Sequence, residues 1–163
     1  MTQSTKPIQS LLFVCWGNIC RSPSAENVMR KLLEDEGIEG VTCDSAGTMR
    51  AHEGHPPDSR MSAAGRRRGL PMTGSARCIE PSDFDRFDLI LAMDRSNYSD
   101  IMAVARSQSD RDKIQLFCEY CSESDHSEVP DPYYGGPDGF ELVLDLLEDG
   151  CQGILERIRQ SRT

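Results

Sequence analysis

The 163-residue chain lacks any apolar run near the roughly 18 residues that a membrane-spanning helix requires. Its first residues, MTQSTKPIQS, lack the apolar core of a secretion signal, so a soluble cytoplasmic protein without membrane association is expected. Basic residues are in deficit, with 18 Lys and Arg against 27 Asp and Glu and a formal charge of −9. A surface of that sign repels a phosphate backbone, which excludes nucleic acid as a general partner. Seven cysteines, an odd number at irregular spacing, exclude a disulfide scaffold; the thiols are expected to be reduced and any disulfide to be regulatory. Histidine is scarce, at three residues. Cys118, Cys121 and His126 invite a zinc reading, but a structural zinc site needs four ligands and the sequence offers no matching fourth. They read as filler in a strand and loop, and no metal or cofactor is expected.

What is present suits one domain. A chain of this length with 37% hydrophobic content can bury roughly 70% of its unfolded surface. Residues 1–8 read as a flexible N-terminal segment and 9–163 as the domain, with a monomer as the default. SLLFVC (10–15) is a buried strand, and SAENVMRKLLEDEG (24–37) places Ala25, Val28, Met29, Leu32 and Leu33 on one helical face. GVTCDSAG reads as a second strand, DSRMSAAGRRRG as a helix opened by Asp58, FDLILAM as a third strand, and DRSNYSDIMAVAR as a helix with Asp94 at its N-cap. KIQLFC supplies a fourth strand. A long loop, 118–137, precedes a last helix, 138–160, with Phe140, Val143, Leu144, Leu147, Cys151, Ile154 and Ile158 on one side. Such alternation predicts an α/β fold: an open four-stranded parallel sheet with helices on both faces.

The first strand runs directly into CWGNICRS (15–22). In open α/β sheets an anion binds beyond the carboxyl ends of the strands, where backbone N–H groups and a helix N-terminus converge. Gly17 allows a turn with positive φ or a close approach to a ligand, and Asn18 is among the few other residues that tolerate a left-handed backbone. The loop from Cys15 through Trp16, Gly17, Asn18, Ile19 and Cys20 is long enough to ring one tetrahedral oxyanion with amides. Arg21 then offers a planar fork to two equatorial oxygens. Cys15 would sit beneath the phosphorus, where the helix terminus and Arg21 favour a nucleophilic thiolate. Ser22 can donate its hydroxyl to that sulfur. The gain in thiolate is only about 2 kcal/mol, so most of the rate must come from the fixed amides and Arg21 acting on transition-state charge.

CWGNICRSPSAE at the first strand-to-helix turn, DSAGT at 44–48 and DPYYGG at 131–136 together resemble the low-molecular-weight protein tyrosine phosphatases, in order as well as content. The resemblance runs from about residue 9 to the C-terminus. It implies hydrolysis of phosphotyrosine and small aryl phosphate monoesters through a phosphocysteine. Cys15 would be the nucleophile, Arg21 the phosphate clamp and Asp131 the acid that protonates the leaving phenolate. Tyr133 and Tyr134 would line the cleft, and Asn18, Ser22 and Ser45 would support the loop. Partners would be phosphotyrosine-containing proteins, a tyrosine kinase among them, with inorganic phosphate or vanadate as small ligands. The resemblance also implies a protective Cys15–Cys20 disulfide after oxidation of the nucleophile.

Each assignment has a plainer rival: Cys15 as a core thiol, Asp131 as the start of a turn, the two tyrosines as loop anchors, and 66–68 (RRR) as a solvated helix end. Two departures stand out. Many members of the family carry a histidine where this chain has Gly74, which predicts a thinner network under the loop, with Ser45 and Ser22 holding Asn18. Ala51, followed by His52, occupies a place where many members have a tryptophan, and Trp16 is expected to supply part of that wall. Other classes remain open at this point: a thioredoxin-coupled arsenate reductase, against which Cys78 stands alone without a redox partner, and a phosphate-binding module without catalysis.

Overall fold

The computed structural model describes residues 6–132 and 136–162. Four strands, β1 (Ser10–Cys15), β2 (Thr42–Gly47), β3 (Leu89–Ala92) and β4 (Ile114–Leu116), form one parallel sheet in the order β2-β1-β3-β4. This is the α/β architecture that the alternation predicts. β1 is central because it is apolar on both faces, and Leu11 to Val14 are fully buried.

The period-two alternation of the strands divides the core. Leu11, Phe13, Leu89 and Leu91 face one cluster, closed by α1 (Arg21–Asp35), α2 (Ser59–Arg67) and a long helix, α6 (Pro137–Ser161). Leu12, Val14, Ile90 and Ala92 face the other, closed by α3 (Asp83–Arg86) and α4 (Arg95–Val104), which contribute Phe84 and Ile101. Every apolar position predicted for the inner side of α6 is buried, and each fully buried Leu or Ile contributes roughly 1.5–3 kcal/mol. Ile8, upstream of β1, is buried as well, and its N–H donates to Ser161 Oγ at 3.1 Å.

Four local features differ from the sequence reading. α1 begins at Arg21, three residues before the apolar periodicity starts, so Arg21 and Ser22 lie in its first turn. The one-turn helices α3 and α5 (Gln108–Arg111) replace stretches read as connections. β4 stops at Leu116, and Phe117–Tyr120 turns into a 3₁₀ helix. Arg68 is no solvated helix end: it pairs with Glu141, Asp145 and Glu148 of α6 at 2.8, 2.9 and 3.3 Å, tying α2 to that helix. No helix among the described residues is long and apolar enough to cross a membrane.

Candidate active site

The parallel register sets Cys15 beside Gly47 at the carboxyl end of the sheet, so the loop after β1 crosses directly over the end of β2. A Cβ at Gly47 would lie 2.7 Å from the Trp16 carbonyl oxygen and 3.1 Å from the Asn18 nitrogen. The glycine of DSAGT is therefore a requirement of that crossing. Thr48 N–H then donates to the carbonyls of both Cys15 and Trp16 at 3.0 Å, and Met49 N–H donates to Trp16 at 3.2 Å.

Two further loop carbonyls are engaged on the side away from the cavity. Ile19 O accepts from Asp58 N–H at 2.8 Å, and Cys20 O accepts from Ser24 N–H and its hydroxyl at 3.3 and 2.5 Å. In a trans peptide the N–H points opposite to the C=O, and the described chain has no cis bond. Turning the carbonyls of residues 15, 16, 19 and 20 outward therefore aims the N–H groups of Trp16, Gly17, Cys20 and Arg21 inward. The result is a ring of donors at the N-terminus of α1, whose cap residue Cys20 makes no side-chain capping bond.

Asn18 is the one described non-glycine residue with positive φ, at 58°. Gly17 does not take a positive φ; a Cβ there would meet the His52 ring at 3.0 Å, an approach to a side chain that the sequence did not suggest. The Asn18 side chain offsets its backbone cost, roughly 1–2 kcal/mol for an ordinary residue. Nδ2 donates to Ser22 Oγ at 2.8 Å and to Ser45 Oγ at 3.0 Å, and Oδ1 accepts Arg77 N–H at 2.9 Å. Ser22 Oγ lies 3.0 Å from Cys15 Sγ, which also receives Asn18 N–H at 3.3 Å. With the sulfur ionised, Ser22 is the donor. Ser45 and Ser22 thus hold Asn18 in a chain with Gly74, and Glu26, which sequence reasoning missed, accepts the Ser45 proton at 2.7 Å.

Arg21 is 2% exposed, and its guanidinium is held at three points. Nη1 donates to Asp94 Oδ2 at 2.6 Å and to Val129 O at 3.1 Å, while Nη2 lies 3.5 Å from Asp131 Oδ2. Burial opposes its charge, but Cys15, Asp94 and Asp131 outweigh burial and raise its pKa above the ordinary value. Asp94 was expected as an N-cap and is one, accepting Asn97 N–H at 2.8 Å. Its second oxygen orients Arg21, a role that no local signal announces. Burial, followed by the charge of Asp58, pushes the Cys20 thiol far up, so Cys20 is a neutral partner within the loop.

A cavity of about 210 Å³ opens over this floor, lined by Cys15, Trp16, Gly17, Ile19, Cys20, Arg21, Met49, Ala51, His52 and Asp131. The structure thus brings Cys15, Arg21 and Asp131 to one cavity, with Asn18, Ser22 and Ser45 beneath it. Trp16 and Ala51 both form part of the cavity wall. Met49 and His52 join it, and nothing in their local sequence marks them. Tyr133 and Tyr134 lie outside the described residues. Of the zinc candidates, Cys118 and Cys121 are in side-chain contact, while His126 is bonded to Ser124.

The arrangement can bind a tetrahedral dianion and present a sulfur nucleophile opposite a carboxylic acid. Comparison with known proteins agrees in kind. The family described as "Low molecular weight phosphotyrosine protein phosphatase" matches residues 10–163. A protein of that name from Schizosaccharomyces pombe is 46% identical, with 94% of this chain and 99% of the relative covered. Its human counterpart is 42% identical, with 95% and 97% covered. A protein tyrosine phosphatase crystal structure from Entamoeba histolytica superposes with a TM-score of 0.91 at 43% identity, covering 95% of this chain and 99% of that one. A Drosophila arginine phosphatase structure has a TM-score of 0.85 at 32% identity, covering 90% and 96%.

Proposed function

From the premise that the chain belongs to the low molecular weight phosphotyrosine protein phosphatase family, we propose that it hydrolyses phosphotyrosine and small aryl phosphate monoesters through a phosphocysteine on Cys15. In the first step the Cys15 thiolate attacks phosphorus, the S–P bond forming as the P–O bond to the phenol breaks, and Asp131 gives its proton to the departing oxygen. In the second, the Asp131 carboxylate takes a proton from water, whose oxygen attacks phosphorus. The S–P bond breaks and returns the thiolate, which Ser22 stabilises as leaving group. One acid thus serves both halves.

The observation that supports this reading is the outward turn of the carbonyls of residues 15, 16, 19 and 20, which aims N–H groups, together with Arg21, toward the cavity that Cys15 lines, where they would meet the three equatorial oxygens. Removal of a single preorganised donor of that kind costs a factor of roughly 10²–10³ in kcat. An incoming phosphate must share Arg21 Nη2 with Asp131, which brings the acid to the phosphoryl group it serves. Substrates in the cell would be phosphotyrosine-containing proteins, with inorganic phosphate and vanadate as competing ligands.

The test compares phosphotyrosine peptide, phosphoarginine peptide and arsenate with a thiol reductant. Turnover is quenched in acid within milliseconds and Cys15 is examined by mass spectrometry. The expected result is a phosphoryl group on Cys15 from the tyrosine peptide, with Cys15→Ser inactive yet still binding vanadate. Turnover without phosphate on that sulfur overturns the mechanism. Faster turnover of phosphoarginine would move the substrate to the class named for the Drosophila relative, and arsenate reduction would move the activity to a reductase.

A further inference from the structure

We propose that Glu26 is a positioning residue for the phosphate loop, acting through Ser45 on Asn18; the inference rests on the reading of Cys15 as the nucleophile. Glu26 lies on α1, one turn beyond Arg21, and is 7% exposed although charged. Its Oε1 accepts the Ser45 hydroxyl, and Oε2 is held by the Arg30 guanidinium, which also reaches the Cys43 carbonyl of β2. The carboxylate is therefore fixed to the helix and, through Arg30, to the strand that carries Ser45.

Proton counting gives the network a single direction. Arg77 N–H identifies Asn18 Oδ1 as the acceptor, so Asn18 Nδ2 faces both serines as a donor. Ser45 has one proton. Since Asn18 Nδ2 cannot accept it, that proton needs another acceptor, and Glu26 is the one supplied. Ser45 then presents a lone pair to Asn18. Ser22, receiving the second Nδ2 proton, keeps its own hydrogen for Cys15 Sγ or the Ala46 carbonyl. Without Glu26, the 6% exposed Ser45 hydroxyl holds an unsatisfied donor and turns to find another acceptor. Asn18 then loses one of the bonds that hold its positive φ. No side chain at Gly74 can take the place of the carboxylate, and a Cβ added there would meet nothing within 4 Å.

The test is a double-mutant cycle on Glu26 and Ser45 with aryl phosphate turnover as the first readout. Glu26→Ala should lower kcat roughly tenfold, the scale of one lost hydrogen bond to a charged group, with KM changed less than about twofold. Glu26→Gln, whose amide oxygen still accepts from Ser45, should retain at least about half the activity. In the Ser45→Ala background, adding Glu26→Ala should change kcat less than about twofold. An equal loss in both backgrounds, or no loss in the native one, overturns the proposal.

The second readout needs no catalysis. The Asn18 side-chain amide protons should exchange slowly in the unaltered protein and in Glu26→Gln, and fast in both Ser45→Ala and Glu26→Ala; slow exchange in Glu26→Ala would overturn the proposal. Fast exchange in the unaltered protein would overturn the network outright. An unaltered protein that turns over ester without a phosphocysteine would sink the mechanism of the preceding subsection, while the exchange rates would still decide this one.

Discussion

The floor of the cavity and its rim are built on opposite terms. Cys15, Asn18, Arg21 and Ser22 are at most 3% exposed, and each is held by bonds that cross between elements. Trp16 is 44% exposed, the Asp131 side chain 33%, and Ala51 stands in solvent. The floor is therefore ordered during folding, at the expense of its own conformational entropy, and reorganises little when charge develops on a bound phosphoryl group. The rim is free to adapt to the group the phosphate is attached to. On the proposed mechanism, rate would belong to the first region and choice of substrate to the second, with Asp131 as the exception that stands on the rim and would take part in the chemistry.

The sharpest way to break this division is to disturb the floor without touching any reacting group. Gly47→Ala places a methyl carbon against the Trp16 carbonyl and the Asn18 nitrogen, both backbone atoms that can yield only by moving the loop. Displacement of that order should lower kcat/KM for an aryl phosphate by roughly 100-fold, while far-ultraviolet circular dichroism stays that of the unaltered protein. A loss of less than about threefold would mean that the floor adapts as readily as the rim.

Next in size is the exception. Asp131→Asn removes the proposed proton donor and should lower kcat roughly 10²-fold for a poorly leaving phenol. With a phenol of low pKa, which departs as its anion, the loss should shrink to about tenfold or less. The measurement is a series of aryl phosphates plotted against leaving-group pKa. An equal loss along the whole series would remove Asp131 from proton transfer and leave it only as the neighbour of Arg21.

The same division governs what the sequence makes legible. The floor is written in one octapeptide, and its order of sulfur, glycine, asparagine, arginine and serine points to the proposed chemistry before any fold is known. What completes the floor is remote. Asp94 reads as a helix cap because capping is a three-residue pattern, but its contact with Arg21 spans 73 positions. Glu26 reads as an ordinary helical acid, since its purpose depends on the parallel pairing that sets Ser45 opposite Phe13. The start of α1 was hidden for a related reason. Its first turn is shaped by the loop and not by apolar periodicity, and Pro23 is tolerated there because the first-turn N–H groups have no intrahelical partner. At the other end of the sheet, KIQLFC is apolar enough for a strand through Cys118. The Phe117 ring instead occupies space left by Gly150, where a Cβ would lie 2.2 Å from it, and the chain turns into the 3₁₀ helix. One-turn helices such as α3 and α5 are too short to carry a period at all.

The rim was the least legible part, because a wall needs only bulk at the right place and many residue types supply it. Trp16 could be expected there because it adjoins Cys15 in sequence; Met49 and His52 could not. The smallest expected effect is accordingly at Trp16. Trp16→Ala removes an exposed ring from the cavity wall while leaving the Trp16 carbonyl, and with it the bonds from Thr48 and Met49, in place. KM for aryl phosphates should rise several-fold, on the order of 1 kcal/mol of aromatic contact, and kcat should stay within about twofold. The same substitution should leave the affinity for inorganic phosphate unchanged, since that ligand reaches only the floor. A Trp16→Ala protein that binds phosphate more weakly in proportion to its loss of ester affinity would show that the ring braces the loop, and the boundary between floor and rim would then have to be drawn on the far side of residue 16.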